Sequence, residues 1–127
     1  KINEASKLIF IYPVWWSSMP AILKGFFDRV LTNKWAYQYT GKIIFHQGIP
    51  EGLLKEKKAA IFMTTGETAW AFNLISRRSA AKVIEKEILG FCGIKAKAFV
   101  LYESFKMTDE RKLHIEKIVK KGLNWLS

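Results

Sequence analysis

The chain holds a single cysteine, Cys92, so an intramolecular disulfide framework is excluded and a reducing compartment fits. It has three prolines in 127 residues and no Ser- or Gly-rich tract, which leaves no linker and no disordered tail. No apolar run approaches the ~20 residues that cross a bilayer. No signal-peptide pattern opens it either, since Lys1-Ile2-Asn3-Glu4 leads straight into a strand-like segment. Neither GxGxxG nor GxxxxGK[ST] occurs, so dinucleotide and P-loop phosphate motifs are unsignalled. His46 and His114 lie far apart without cysteines or paired carboxylates at metal spacing, which rejects a zinc site. No Ser/His/Asp arrangement is readable, so no catalytic side chain is identified. Cys92 sits in apolar Phe91-Cys92-Gly93 and reads as core.

Acidic side chains are scarce as well: 11 against 21 basic, a net charge of +10. The basic clusters, Lys55 to Lys58, Arg77-Arg78 and Lys120-Lys121, are short. None interleaves with aromatics along one face, as a nucleic-acid groove requires. Solvated faces that attract small anions, nucleotide cofactors among them, are the better reading.

What is present is apolar: half the residues are hydrophobic and 14% aromatic, enough for one domain whose core stands alone if the chain is complete. Lys7 to Trp16 has the length of a strand buried on both faces, with regular pairing ending near Pro13. Ser17-Ser18 then Met19-Pro20 reads as a cap and first helical turn. A helix from Ala21 to Leu31 follows, with Ile22, Phe26, Val30 and Leu23, Phe27, Leu31 as a double stripe facing the core. Thr32 to Lys57 reads as a long connection. Further strands are expected at Lys58–Thr65 and Ala96–Tyr102, with helices from about Ser76 to Leu89 and after a Thr108 cap. This β-α-β-α-β-α order predicts an α/β fold, a parallel sheet covered on both faces.

Ligands of such sheets bind beyond the carboxyl ends of the strands. Two unusual loops lie there, Pro13 to Pro20 and Thr64 to Trp70. Aromatic rings and closely spaced amides at one edge suit a flat heteroaromatic ligand, although Trp15 or Trp16 could instead be core.

Along Tyr12 to Val30, YPVWWSSMPAILKGFFDRV, the chain resembles the NAD(P)H:quinone oxidoreductases, flavoenzymes of flavodoxin-like fold. The likeness continues through Trp35-Ala36-Tyr37-Gln38-Tyr39, Lys58-Ala59-Ala60 to Thr64-Thr65-Gly66, and Gly90 to Ile94. It implies a three-layer flavodoxin-like sandwich and two-electron, ping-pong hydride transfer from NAD(P)H through a bound flavin to quinones or similar aromatic acceptors. Pro13, Val14, Trp15, Trp16 and Ser17 would wrap one edge of the flavin. Thr64, Thr65, Gly66 and Glu67 would meet its other side, where amide donors favour the negative charge of its reduced state. Tyr37 and Tyr39 look like the pair that reaches the site from the partner of a homodimer. Trp70 and Phe72 would lie beside the substrate. The implied cofactor is FMN, with FAD the alternative, NADPH or NADH the co-substrate, and the cytoplasm the location.

Departures from the family bear on the mechanism. The tyrosine and histidine found in animal members are replaced by Phe72 and by Asn73 to Arg78 without a histidine. Glu67 stands where a second glycine is usual, and is expected to turn to solvent. By the family pattern, Lys7 to Trp16 is strand 3, so residues 1–127 read as one domain lacking its N-terminal βα units and phosphate loop, with an unpaired apolar edge. Three explanations stay open: a truncated chain, which is favoured, a split protein or a decayed relative. A non-catalytic flavin-binding or regulatory subunit of the same fold is the alternative function.

Overall fold

In KLIFIYP, β-branched and aromatic side chains suit a pleated surface, and the segment forms strand β1 (Lys7–Pro13). The computed structural model describes residues 2–44, 47–105 and 107–127; His46, weighed above as a metal ligand, lies outside them. Helix α1 (Ala21–Val30) follows, then an antiparallel hairpin of β2 (Tyr37–Ile44) and β3 (Gln47–Gly52). Strand β4 (Lys58–Thr64) leads to a π-helical turn (Ala71–Ile75) and the short helix α2 (Ser79–Lys82). The latter widens into π-helical turns over Val83–Gly90 before β5 (Lys95–Leu101) and the long α3 (Asp109–Leu126).

The sheet runs β1-β4-β5, all parallel, with Tyr12 level with Met63 and Met63 level with Val100. Leu8, Phe10 and Tyr12 alternate with Ile9 and Ile11, so the strand's period of two sorts its side chains onto two faces. One face, with Ile61, Met63 and Ala98, packs under Phe27 of α1 and under Ala81, Ile84 and Leu89. The other carries α3, whose Gly122 rests on the Phe62 ring; a Cβ there would stand 2.3 Å from Cζ. Phe62 stacks on Phe99 beneath the helix, ring centroids 5.5 Å apart. This is the expected parallel sheet with helices on both faces.

Several local expectations need correction. β1 ends at Pro13, where pairing was expected to stop, and Trp15 and Trp16 follow it in the loop. It is not buried on both faces: Ile11 is 76% exposed and Ile9 about half. The physical reason is coverage, because α3 lies over β4 and β5. Beside it an apolar cleft of about 520 Å³ stays open, lined by Ile9, Ile11, Phe62, Phe99, Ile118 and Leu123. Among the described residues no strand pairs with the outer edge of β1.

Only one stripe of α1, the line of Leu23, Phe27 and Leu31, packs on the core. Ile22 is 86% exposed, since a single helix on a sheet offers one contact line. Its cap is Pro20, whose carbonyl receives the Leu23 and Lys24 amides, while Ser17 and Ser18 serve a turn instead. The connection after α1 hides the β2–β3 hairpin. The helix expected from about Ser76 starts at Ser79 instead, because Arg77 and Arg78 both hold left-handed backbone, with φ of 47° and 56°. The Thr108 cap is as read: its hydroxyl accepts from the Arg111 amide at 3.2 Å.

Candidate functional site

Three loops meet at the carboxyl edge of the sheet. The Val14 amide donates to the Thr64 carbonyl at 2.7 Å, prolonging the β1–β4 pairing by one residue. The Thr65 amide donates to Leu101 O at 2.9 Å. From the loop after β5, the amides of Ser104 and Glu103 return to the carbonyls of Thr65 and Glu67, each at 3.0 Å. The edge is therefore braced by main-chain bonds that no side-chain change removes.

Trp15 and Ser18 exchange two backbone hydrogen bonds, each 2.9 Å, around Trp16 and Ser17. Both central residues have positive φ, 50° and 57°, the geometry of a type I′ turn. Neither is glycine, so the turn stores backbone strain of the kind that collects at binding sites. It also lifts Trp16 clear of the protein, 100% exposed, with Trp15 more than half exposed. Neither tryptophan is core. The turn's own bonds use the amides of Trp15 and Ser18. Those of Trp16 and Ser17 have no partner among the described residues, and neither has that of Gly66 across the edge. Of the amides expected to face a ligand, those of Val14, Trp15, Thr65 and Glu67 are committed within the chain, while those of Trp16, Ser17 and Gly66 have no partner among the described residues.

Glu67 is half-buried, and one oxygen of its carboxylate, expected to turn to solvent, is held within the chain. Its Oε2 accepts from the Ser76 hydroxyl at 2.8 Å, while its amide donates to Thr65 Oγ1 at 3.2 Å. Trp70 is exposed on the same loop. Phe72, expected beside a substrate, is core instead: 1% exposed and edge-on to Tyr102 at 5.6 Å. A ring with no free surface cannot touch a ligand.

Tyr37 and Tyr39 pack edge to face at 6.0 Å, and Tyr37 meets Phe91 at 5.0 Å. Their hairpin is anchored by Leu53 N to Ala36 O and Leu54 N to Cys92 O, each 2.9 Å. Those anchors lie at the amino-terminal ends of β4 and β5, opposite the Trp16 turn. One chain therefore does not bring the two tyrosines to its own site.

Sequence reasoning passed over the loop after β5. Phe105 packs 3.7 Å from where a Cβ on Gly66 would stand. With Glu103, Thr108, Arg111 and His114 it lines a polar cleft of about 440 Å³. Arg111 Nη2 donates to the carbonyls of Tyr102 and Glu103, and its buried Nε has no partner among the described residues. The Thr108 cap was the available signal, because it places Arg111 in the first turn of α3. No His, Cys, Asp and Glu group among the described residues is arranged to hold a metal ion.

These parts can grip a flat, polar-edged ring: exposed indoles give stacking area, and free amides give donors. The Flavodoxin_2 family model, described as a flavodoxin-like fold, matches residues 1–126. An uncharacterized NAD(P)H oxidoreductase of Haemophilus influenzae is 32% identical over 111 residues, 87% of this chain and 52% of that protein. An FMN-dependent NADH:quinone oxidoreductase of Bordetella petrii is 28% identical over 109 residues, 86% of this chain and 48% of its own length. Among solved structures, Smu.1420 from Streptococcus mutans UA159 superposes with a TM-score of 0.82 at 37% identity, covering 97% of this chain and 62% of that one. The chain spans about half the length of these curated relatives.

Proposed function

Since the chain belongs to the flavodoxin-like family Flavodoxin_2, we propose that it forms the carboxyl-terminal part of the domain of a flavin-dependent NAD(P)H oxidoreductase acting on quinones or similar aromatic acceptors. The observation that carries this reading is the Trp16 turn, which exposes an entire indole beside two unpartnered amides and opposite the free Gly66 amide. An apolar side chain of that size held wholly in water by strained backbone has no packing role in the chain itself.

The residues present fit the ring of FMN. Its chemistry, when bound, is two-electron hydride exchange between NAD(P)H and an acceptor. Trp15 and Trp16 would stack on or border the ring. The amides of Trp16, Ser17 and Gly66 would donate to its polar edge, favouring negative charge there. Pro13 and Val14 fix the turn's exit from β1, while Thr64 and Thr65 set the position of Gly66. Trp70 would flank the acceptor. In a homodimer, Tyr37 and Tyr39 would complete the partner's site, in keeping with their distance from their own. Donor and acceptor would use the one open face in turn, which is ping-pong kinetics, and the cytoplasm is the proposed location.

A second reading, a flavin-binding subunit without turnover, draws on the missing acid–base group: Phe72 is buried and Asn73 to Arg78 holds no histidine. FMN-loaded protein given NAD(P)H and a quinone separates the two. Many turnovers per flavin support the enzyme, whereas bound flavin that never turns over supports the subunit.

A further inference from the structure

We infer that the Ser76–Glu67 hydrogen bond holds a carboxylate away from the flavin edge of the site and thereby raises the reduction potential of the bound cofactor. The inference rests on the flavin reading above. Three observations carry it. Glu67 follows directly on Gly66, whose free amide is one of three donors at the site, so its backbone cannot leave the rim. That backbone is fixed at both ends, its amide on Thr65 Oγ1 and its carbonyl on the Glu103 amide. Only the side chain can choose a direction, and the Ser76 hydroxyl donates to its Oε2 at 2.8 Å.

The electrostatic consequence follows from the sign of the charges. Reduction places negative charge on the cofactor, and the free amides are donors that favour it. A carboxylate swung to the same rim would oppose it across a few ångströms of poorly screened space. The hydroxyl of Ser76 gives the carboxylate a charge-assisted partner elsewhere. Ser76 sits on the turn after the π-helical stretch Ala71–Ile75, and its amide is anchored on Ala71 O at 3.0 Å, so its hydroxyl is presented from a fixed position. Ser76 is thus a positioning residue: it acts through Glu67 and does not itself touch the cofactor.

The test compares FMN binding in the oxidised and reduced states by anaerobic titration of wild type, Ser76→Ala, Glu67→Gln and the double variant. Ser76→Ala is expected to weaken binding of the reduced form relative to the oxidised form by about tenfold, equivalent to roughly 30 mV lower midpoint potential for the two-electron couple. In the Glu67→Gln background the same serine change is expected to have no effect, because the coupling between the two sites is the quantity measured. An unchanged ratio in Ser76→Ala, or an equal loss in the Gln background, overturns the clamp while leaving the flavin reading intact. Wild type that takes up no FMN overturns the flavin reading and the clamp together.

Discussion

The Glu85 carboxylate accepts a hydrogen bond from the Ala98 amide at 2.6 Å, so a side chain from the helical layer closes the free edge of β5. An edge strand otherwise presents a row of unpaired amides to any other chain. Arg78 lies 3.7 Å from the same carboxylate and adds a second, weaker partner.

Replacing Glu85 with Ala should lower stability by about 1–3 kcal/mol, the cost of leaving a part-buried amide without an acceptor. Glu85→Gln keeps an acceptor and should cost less. Urea denaturation midpoints measure both, and an unchanged midpoint in the alanine variant would contradict the brace.

Two glycines should respond in opposite directions to alanine. At Gly52 an added Cβ would stand 2.2 Å from the Gly93 amide nitrogen and 2.3 Å from the Cys92 carbonyl carbon, and no rotamer relieves a backbone clash. Gly52→Ala should destabilise by about 1–3 kcal/mol or more and speed hydrogen exchange at the Leu54 amide. Gly25, in α1, has open space around its Cβ position. Gly25→Ala should stabilise by about 0.5–1 kcal/mol. The same sign at both sites would contradict the docking of the hairpin.

Alkaline stability should be set partly by Tyr12. Burial, then the nearby Glu85 charge, push its phenol well above the usual range. Below about pH 10 the phenol is protonated in both states and contributes no slope. Above it the unfolded chain releases a proton that the folded protein retains, so stability falls as pH rises. Tyr12→Phe should flatten that fall and cost little at neutral pH, since the hydroxyl has no hydrogen-bond partner among the described residues. Melting temperatures of both proteins from pH 8 to 11 test this, and parallel curves would contradict it.

The strands β1 and β4 were legible because KLIFIYP and KAAIFMT are apolar runs bounded by Pro13 and Gly66. The β2–β3 hairpin was hidden because Gly41, Gly48 and Pro50 break the alternation that would reveal it. The left-handed pair Arg77-Arg78 gave no sign, since tertiary packing rather than a glycine imposes it. At the site, the two loops could be found from their aromatics and from Thr64-Thr65-Gly66. The fate of each side chain could not. Phe72 and Trp70 are two residues apart and both aromatic, yet a single helical turn sends one into the core and the other to solvent. Ser76 and Arg111 act through bonds across loops, which sequence spacing does not encode.

The most direct measurement is an FMN titration followed by flavin fluorescence, on the full-length wild-type protein and on its Trp16→Ala variant. Trp16 is fully exposed, so removing its ring leaves the ligand-free fold intact and any change reports on the ligand. Saturable binding by wild type, weakened in the variant by about 1–3 kcal/mol as for a ring stacked on an aromatic side chain, is the expected result. No saturable binding by wild type, or equal affinity in both proteins, would contradict a flavin seated against the Trp16 turn.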